Sequence, residues 1–447
     1  MSSARERGGR WLRGELPGLV ASGVISDHTS RALAAHYPEP AKGSSRSLAF
    51  VLLAIIGSAL IAGGIILLIA HNWDEFSRPL RSAFAFVPLL AAQALALFVL
   101  LRRDGSQAWR ESAAIFLVAA IGTAIAVVSQ TYQIHGSIAQ FILTWLFLGL
   151  SIVYVMRTTF GACVYICGAT IWLTYKDSYP YERSPLLFWG LLLLVAPYFA
   201  LLFRRTRTSR ETTALATVFA IGCAIGIGYT ESFSKANIGV LSYAGLFALV
   251  YLCGIEFFAT AEGELPPLAR LAAIAIGVLT IVLTFHDIWM HSNTPLPTLD
   301  LQRAISVAIL LFFPLAAVLL AAWTYIHGKI HFSILAVALP IVTGAGWMIA
   351  HFCPPEQITW SRSNCDFYAA MLFNVYALAL GVELIARGLR ADSMTRVNFG
   401  LAIIAALAIA RFFDSDLSFV IRAIGFIIIG LGFLATNFIL FKKRRPA

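Results

Sequence analysis

The sequence predicts an all-α polytopic membrane protein of about 14 transmembrane helices (12–14), both termini cytoplasmic, and three observations lead there. First, 59% of the 447 residues are hydrophobic and 13% charged, with a mean hydropathy of +0.80; soluble domains carry about 25% charged residues. Second, from Ser47 onward the chain is a succession of runs free of Asp, Glu, Lys and Arg. Each approaches the ~20 residues that a helix needs to cross the hydrocarbon core. Third, Lys and Arg concentrate in alternate loops, which orients the chain. The formal net charge of +10 therefore reads as topology, and no nucleic-acid partner is expected.

Residues 1–47 form a basic cytoplasmic segment with a short helical pair, LPGLVASG followed by HTSRALAAHY. Ser26 and Asp27 stand where an N-cap belongs, and Pro38 closes the second helix. Arg5, Arg7, Arg10 and Arg13 suit an anionic lipid surface. The first apolar run exceeds the about 7–15 residues of a signal-peptide core, so the first helix is expected to stay as an anchor.

The transmembrane domain, 48–441, divides at Gly, Pro, His and Ser clusters into 48–70, 79–101, 112–132, 139–156, 158–175, 185–203, 212–230, 237–259, 268–286, 303–326, 330–351, 366–387, 396–413 and 418–441. The ninth, twelfth and thirteenth have short uncharged cores and rely on flanking charged residues that snorkel. A basic cytoplasmic tail, 442–447, follows. With the N-terminus inside, 24 of the 33 Lys and Arg fall on inner segments. Arg78, Arg81, Lys176, Arg183, Lys235, Arg303, Arg362, Arg411 and Arg422 fall on the outer half.

Three polar clusters then share the outer face: HNWDEFSRPLR at 71–81, SQTYQIHG at 129–136 and RFFDSDLSFVIR at 411–422. A buried amide or phenol in lipid needs a partner, because leaving it unsatisfied costs several kcal/mol. The clusters are natural partners for one another. They define a candidate outward-facing polar site of Asn72, Trp73, Asp74, Arg78, Gln130, Tyr132, His135, Arg411 and Asp414. In it Trp73 and Tyr132 would be walls, and Asp74, Arg78, Arg411 and Asp414 charged contacts. The same residue types also serve as interfacial aromatics and helix caps, and that alternative stays open.

The run GGIILLIAHNWDEFSRPLR, followed by RESAAIFLVAAIGTAIAVVSQTYQIHG, resembles the bacterial membrane-protein family known as domain of unknown function 2157, over residues ~12–150. The resemblance implies that Asn72, Trp73, Gln130, Tyr132 and Gly136 occupy motif positions. It implies no substrate or mechanism.

Other chemistry is thinly signalled. No CxxC-type zinc spacing, GxSxG elbow or phosphate-cradling loop is present, and the one His-x3-His pair, His327 and His331, falls at a short inner turn beside Lys329, so neither cofactor nor metal is expected. Cys353 and Cys365 bracket an outer loop and are placed to form a disulfide in an oxidising periplasm. Glu383 and Arg387, four apart, are expected to pair on one helix face. Gly222 and Gly226 suit close helix packing. Gln93 and Asn374 are polar groups within spans, and Pro88, Pro314 and Pro340 mark kinks.

The expected protein sits in the bacterial inner membrane, with membrane lipids as its surroundings. It transports or binds a small or lipid-linked cell-envelope molecule through the outer site. The alternatives are a membrane-embedded enzyme with Asp74 or His135 as acid/base, and a structural scaffold for membrane partners.

Overall fold

The computed structural model describes residues 15–36, 75–103, 105–175, 185–258, 265–290, 300–327, 333–351, 359–391, 393–412 and scattered positions from 420 to 432. The chain divides into two compact units, 1–81 and 82–447. In the first, a helix at 15–21 ends at a turn where Gly23 takes φ +74°, a conformation that favours glycine. Helix α1 (Asp27–His36) follows. The Ser26 hydroxyl accepts from the Thr29 N–H at 3.2 Å, and Asp27 pairs with Arg31 one turn on.

Twelve of the predicted spans fall on described residues, and each is a helix. They are α2 (Arg78–Arg102), α3 (Gln107–Thr131), α4 (Ile138–Met156), α5 (Thr159–Thr174), α6 (Leu186–Arg205), α7 (Arg210–Ser234), α8 (Gly239–Phe258) and α9 (Pro267–Val282). After the short α10 (Asp287–Met290) come α11 (Leu301–Ile326), α12 (Ile334–His351), α13 (Thr359–Arg390) and α14 (Met394–Phe412). The predicted span 48–70, and all but isolated positions of 418–441, lie outside the described residues.

Among the described residues ten helices are long and apolar enough to cross a membrane, while α5 and α9 are shorter apolar helices of 16 residues. At 1.5 Å per residue such a helix covers roughly 24 Å, short of the ~30 Å hydrocarbon core. Helix α9 stops at Val282, four residues before the predicted 286. There the Thr284 hydroxyl turns back to the Ile281 carbonyl, and the Trp289 indole donates to the Leu283 carbonyl at 3.0 Å. These bonds carry the chain into α10.

Hydrogen bonds between separate turns sort the helix ends into two sets. At one end Glu111 joins the turn at 158–160, Arg207 donates to the carbonyls of Glu256 and Phe257, and Ser333 joins Glu383. At the other, Tyr229 reaches the Thr174 carbonyl, Trp347 the Asn237 carbonyl, and Asn374 and Arg411 both meet Thr284. The first set comprises loops read above as inner, and the second, loops read as outer. We call the first the arginine-rich end.

Packing inverts the soluble pattern. The buried side chains of α2 are small, Ala85, Ala92, Ala96 and Val99, at helical spacing, whereas Val87, Leu90, Leu97 and Leu101 are exposed. Lipid tails are as apolar as leucine, so helices associate through close fit of small faces and turn large side chains outward. Two main cores result. One gathers α4 to α8 with α11 around Phe188, Leu191 and Ile227; the other gathers α8, α9, α12, α13 and α14 around Leu252, Ile276 and Phe373. Helix α8 belongs to both, packing on α7, α9, α11 and α12.

Glycine permits these approaches. A Cβ on Gly245 would lie 2.2 Å from the Pro314 backbone nitrogen, and one on Gly254 would lie 2.7 Å from the Ala269 nitrogen. The expected role of Gly222 and Gly226 holds, since a Cβ there would meet Ile166 at 3.1 Å and Phe188 at 2.4 Å. Pro88, Pro314 and Pro340 lie inside α2, α11 and α12 as expected.

Gly245→Ala is expected to cost about 1–3 kcal/mol by overpacking against a backbone that cannot rotate away. Gly149→Ala, where nothing lies within 4 Å, should be neutral or slightly stabilising. Thermal unfolding of the two variants side by side in one detergent checks the pair.

Candidate functional site

The structure describes five of the nine sequence-predicted site residues, and of these Tyr132 and Arg411 lie at helix ends opposite the arginine-rich one. Asn72, Trp73, Asp74 and Asp414 lie outside the described residues. Arg78 is exposed at the start of α2. Gln130 and His135 are exposed beside the turn between α3 and α4. Tyr132 caps the C-terminus of α3, its N–H donating to the Val128 carbonyl at 3.0 Å and its phenol standing 3.1 Å from the Ser82 hydroxyl. Arg411, in the last turn of α14, donates to the Thr284 hydroxyl at 3.2 Å and lies 4.8 Å over the Phe285 ring.

These described members sit on helices with different neighbours. Helix α3 packs chiefly on α4 and α5, and α14 on α13 and α9. The QTYQIHG stretch also does structural work. Gln133 takes the left-handed φ of 51° that ends one helix, and Ser137 with Gln140 forms the capping box that begins the next.

Cys365, near the start of α13, is disulfide-bonded, whereas Cys163, Cys167, Cys223 and Cys253 are free. Its expected partner, Cys353, lies outside the described residues.

The arginine-rich end holds what the sequence reading missed. A helix leaves its first N–H groups without intrahelical acceptors, and in lipid they must be satisfied from elsewhere. Three glutamates do this from neighbouring elements. Glu111 of α3 accepts from the Thr158 hydroxyl and from the N–H groups of Thr159 (2.8 Å) and Phe160 (3.2 Å) at the start of α5. Glu383 of α13 accepts from the Ser333 hydroxyl (2.8 Å) and the N–H groups of Ile334 (3.1 Å) and Leu335 (3.2 Å) at the start of α12. Thr158 and Ser333 in turn accept from Gly161 and Ala336 as N-caps. At the opposite end Glu231 accepts backbone hydrogen bonds from Asn237, Ile238 and Gly239 at the start of α8. The predicted Glu383–Arg387 pair forms, at 2.8 Å. The signal available in the sequence was a lone acid beside an apolar run, matched by a Thr or Ser opening a run elsewhere.

Next to the Glu383 cap is a cavity of ≈ 160 Å³ between α8, α9, α12, α13 and α14. Ile276, Leu380, Ala336 and Phe399 are among its apolar walls, and Arg270, Arg387 and Arg396 also line it. Those arginines come from the first turn of α9, the last turn of α13 and the first turn of α14, so they gather at the arginine-rich end. Among the described residues that line it, every charged one is an arginine.

The fold and this cavity define a multi-helix membrane protein with a basic-mouthed apolar cavity between its helices. The family resemblance holds: residues 17–162 match the family model described as "Predicted membrane protein (DUF2157)", a stretch that runs from the N-terminal helical pair into α5. No curated protein and no solved structure matches the chain.

Glu383→Ala should cost about 2–3 kcal/mol, since it strands three donors and the Arg387 guanidinium, with some relief from partial exposure. Glu383→Gln, which keeps an acceptor, should cost roughly half as much. Equilibrium unfolding in bicelles would show the difference, and equal costs for the two would refute the capping role. Separately, non-reducing peptide mapping should recover Cys365 linked to Cys353, with the other four cysteines alkylatable.

Proposed function

We propose that this protein binds a lipid-like molecule of the cell envelope inside the membrane, either to hold it or as a stage of moving it, through the cavity next to the Glu383 cap. The single observation that carries the reading is the polarity gradient of that cavity. Arg270, Arg387 and Arg396 stand at the helix ends, and Ile276 and Leu380 lie further along α9 and α13 toward the bilayer interior. An amphiphile in a bilayer has the same arrangement, head at the interface and chain inward.

The chemistry of the lining favours binding over catalysis. Ser333 and Glu383, the groups that resemble a nucleophile and a base, are engaged in capping α12. The arginines keep their protons, so they attract and orient but do not shuttle protons. We place the protein in the bacterial cytoplasmic membrane with the arginine-rich end inside, on the excess of Lys and Arg there.

Native mass spectrometry of protein released from mild detergent should show an adduct of phospholipid mass. Ala273→Phe, which puts an aromatic ring into the cavity, should reduce its occupancy several-fold. Leu193→Phe, on a lipid-exposed face of α6, should leave it unchanged. A folded Ala273→Phe protein, matched to Leu193→Phe in thermal midpoint, that keeps its adduct would refute the reading.

A further inference from the structure

We propose that a second site, the crevice between α3, α4 and α5, binds an isoprenoid quinone, with a ring carbonyl accepting a hydrogen bond from the Tyr165 phenol. Two adjacent spaces make this site. The larger is a crevice of ≈ 500 Å³ with Ala119 and Thr123 of α3, Phe141 and Trp145 of α4, and Phe160 of α5 among its walls. The smaller is a chamber of ≈ 30 Å³ walled in part by Gly149 and Tyr165. Val118, Trp145, Gly161 and Val164 line both. Ile115 and Phe160, 44% and 50% exposed, border the crevice, so it opens on the lipid-facing surface. Gly149 is buried, yet a Cβ on it would meet nothing within 4 Å.

Tyr165 is the residue that points to a ligand. It is 3% exposed, and its phenol oxygen is buried with no hydrogen-bond partner. A hydroxyl left so within a membrane span is costly, and a bound acceptor removes the cost. The other donors of the described lining are engaged: the Trp145 indole donates to the Val118 carbonyl at 2.8 Å, and the Thr123 hydroxyl to the Ala119 carbonyl at 3.0 Å. A lone water is poorly held in the chamber, because it needs about 2–4 polar partners. Apart from Tyr165 the described chamber walls are aliphatic side chains, glycines and the bonded indole.

The walls define the rest of the ligand. No described residue lining either space is charged, so a phosphate or ammonium headgroup finds no partner there. Tyr165 follows Thr159, the first residue of α5, by six positions, about 9 Å of helical rise, which places it within the hydrocarbon core. The carbonyls of a diacyl lipid are tethered to a headgroup that stays at the interface. Phe141 and Trp145, with ring centroids 5.9 Å apart, give the crevice an aromatic wall that suits a flat ring. Roughly 10–15 Å³ of such volume holds one water-sized group, so the chamber admits a projecting oxygen and not a ring. A quinone is uncharged and flat, carries carbonyl acceptors, and has an apolar tail that can leave through the open side of the crevice.

The test is titration of the delipidated full-length protein with a short-tailed menaquinone and with the matching prenylated naphthalene that lacks both carbonyls, read by native mass spectrometry. The quinone should bind about five- to tenfold more tightly. Tyr165→Phe removes only the hydroxyl, so it should bring the two affinities together and leave the thermal midpoint of the ligand-free protein unchanged or higher. Ala119→Phe, at an exposed position of the crevice, should weaken both ligands several-fold, whereas Ala273→Phe, in the cavity next to the Glu383 cap, should affect neither. Failure of the unaltered protein to bind the quinone, or equal binding of the two ligands, would overturn the inference. So would a quinone preference that survives Tyr165→Phe, or quinone binding lost in Ala273→Phe and kept in Ala119→Phe.

Discussion

The described bundle depends on how closely helix backbones approach where water supplies no driving force. Helix α8 meets α11 at Gly245 against Pro314 and α9 at Gly254 against Ala269, at distances that leave no room for a methyl group. A second pair is as tight. Gly381 of α13 and Gly400 of α14 each face the other's backbone carbonyl, and Gly388 faces Val397. In lipid the gain on association comes from dispersion and shape fit, so these contacts hold the helices where hydrophobic burial cannot. The arginine-lined cavity lies between the two glycine-locked pairs, α8 with α9 and α13 with α14, and is completed by α12.

Helix ends impose the second constraint. In water the first N–H groups of α5, α8 and α12 would be solvated; here carboxylates of Glu111, Glu231 and Glu383 serve them. Each such bond joins two helices, so satisfying the backbone also sets which helices are neighbours. The recurrence at Thr158 and Ser333 is close in detail: a hydroxyl caps its own helix and donates to a glutamate, which then takes the next two N–H groups. Charge at the arginine-rich end thus also joins helix to helix.

Much of the architecture was legible because hydrophobic run length and Lys/Arg placement are local properties that the bilayer reads directly. All twelve predicted spans on described residues are helices, and the pairing of Glu383 with Arg387 followed from spacing alone. The end of α9 was misplaced because Thr284 and Trp289 bond backward to carbonyls, and nothing in apolar composition encodes that turn. The polar turn at Gln130, Tyr132 and His135 was legible as a helix exit, and capping by Tyr132 and Ser137 accounts for much of its pattern.

The sequence by itself determined that this chain is a membrane protein of many apolar helices, where most of those helices begin and end, and which of the described loops share a side. Each follows from a transfer free energy summed over neighbouring residues. Only the tertiary structure decided that Glu111, Glu231 and Glu383 cap helices other than their own, and that Arg270, Arg387 and Arg396 converge on one cavity. Those residues are up to 126 positions apart in the chain, from Arg270 to Arg396. Their proximity is set by which small helix faces fit, a property of pairs of surfaces that no single stretch of sequence carries.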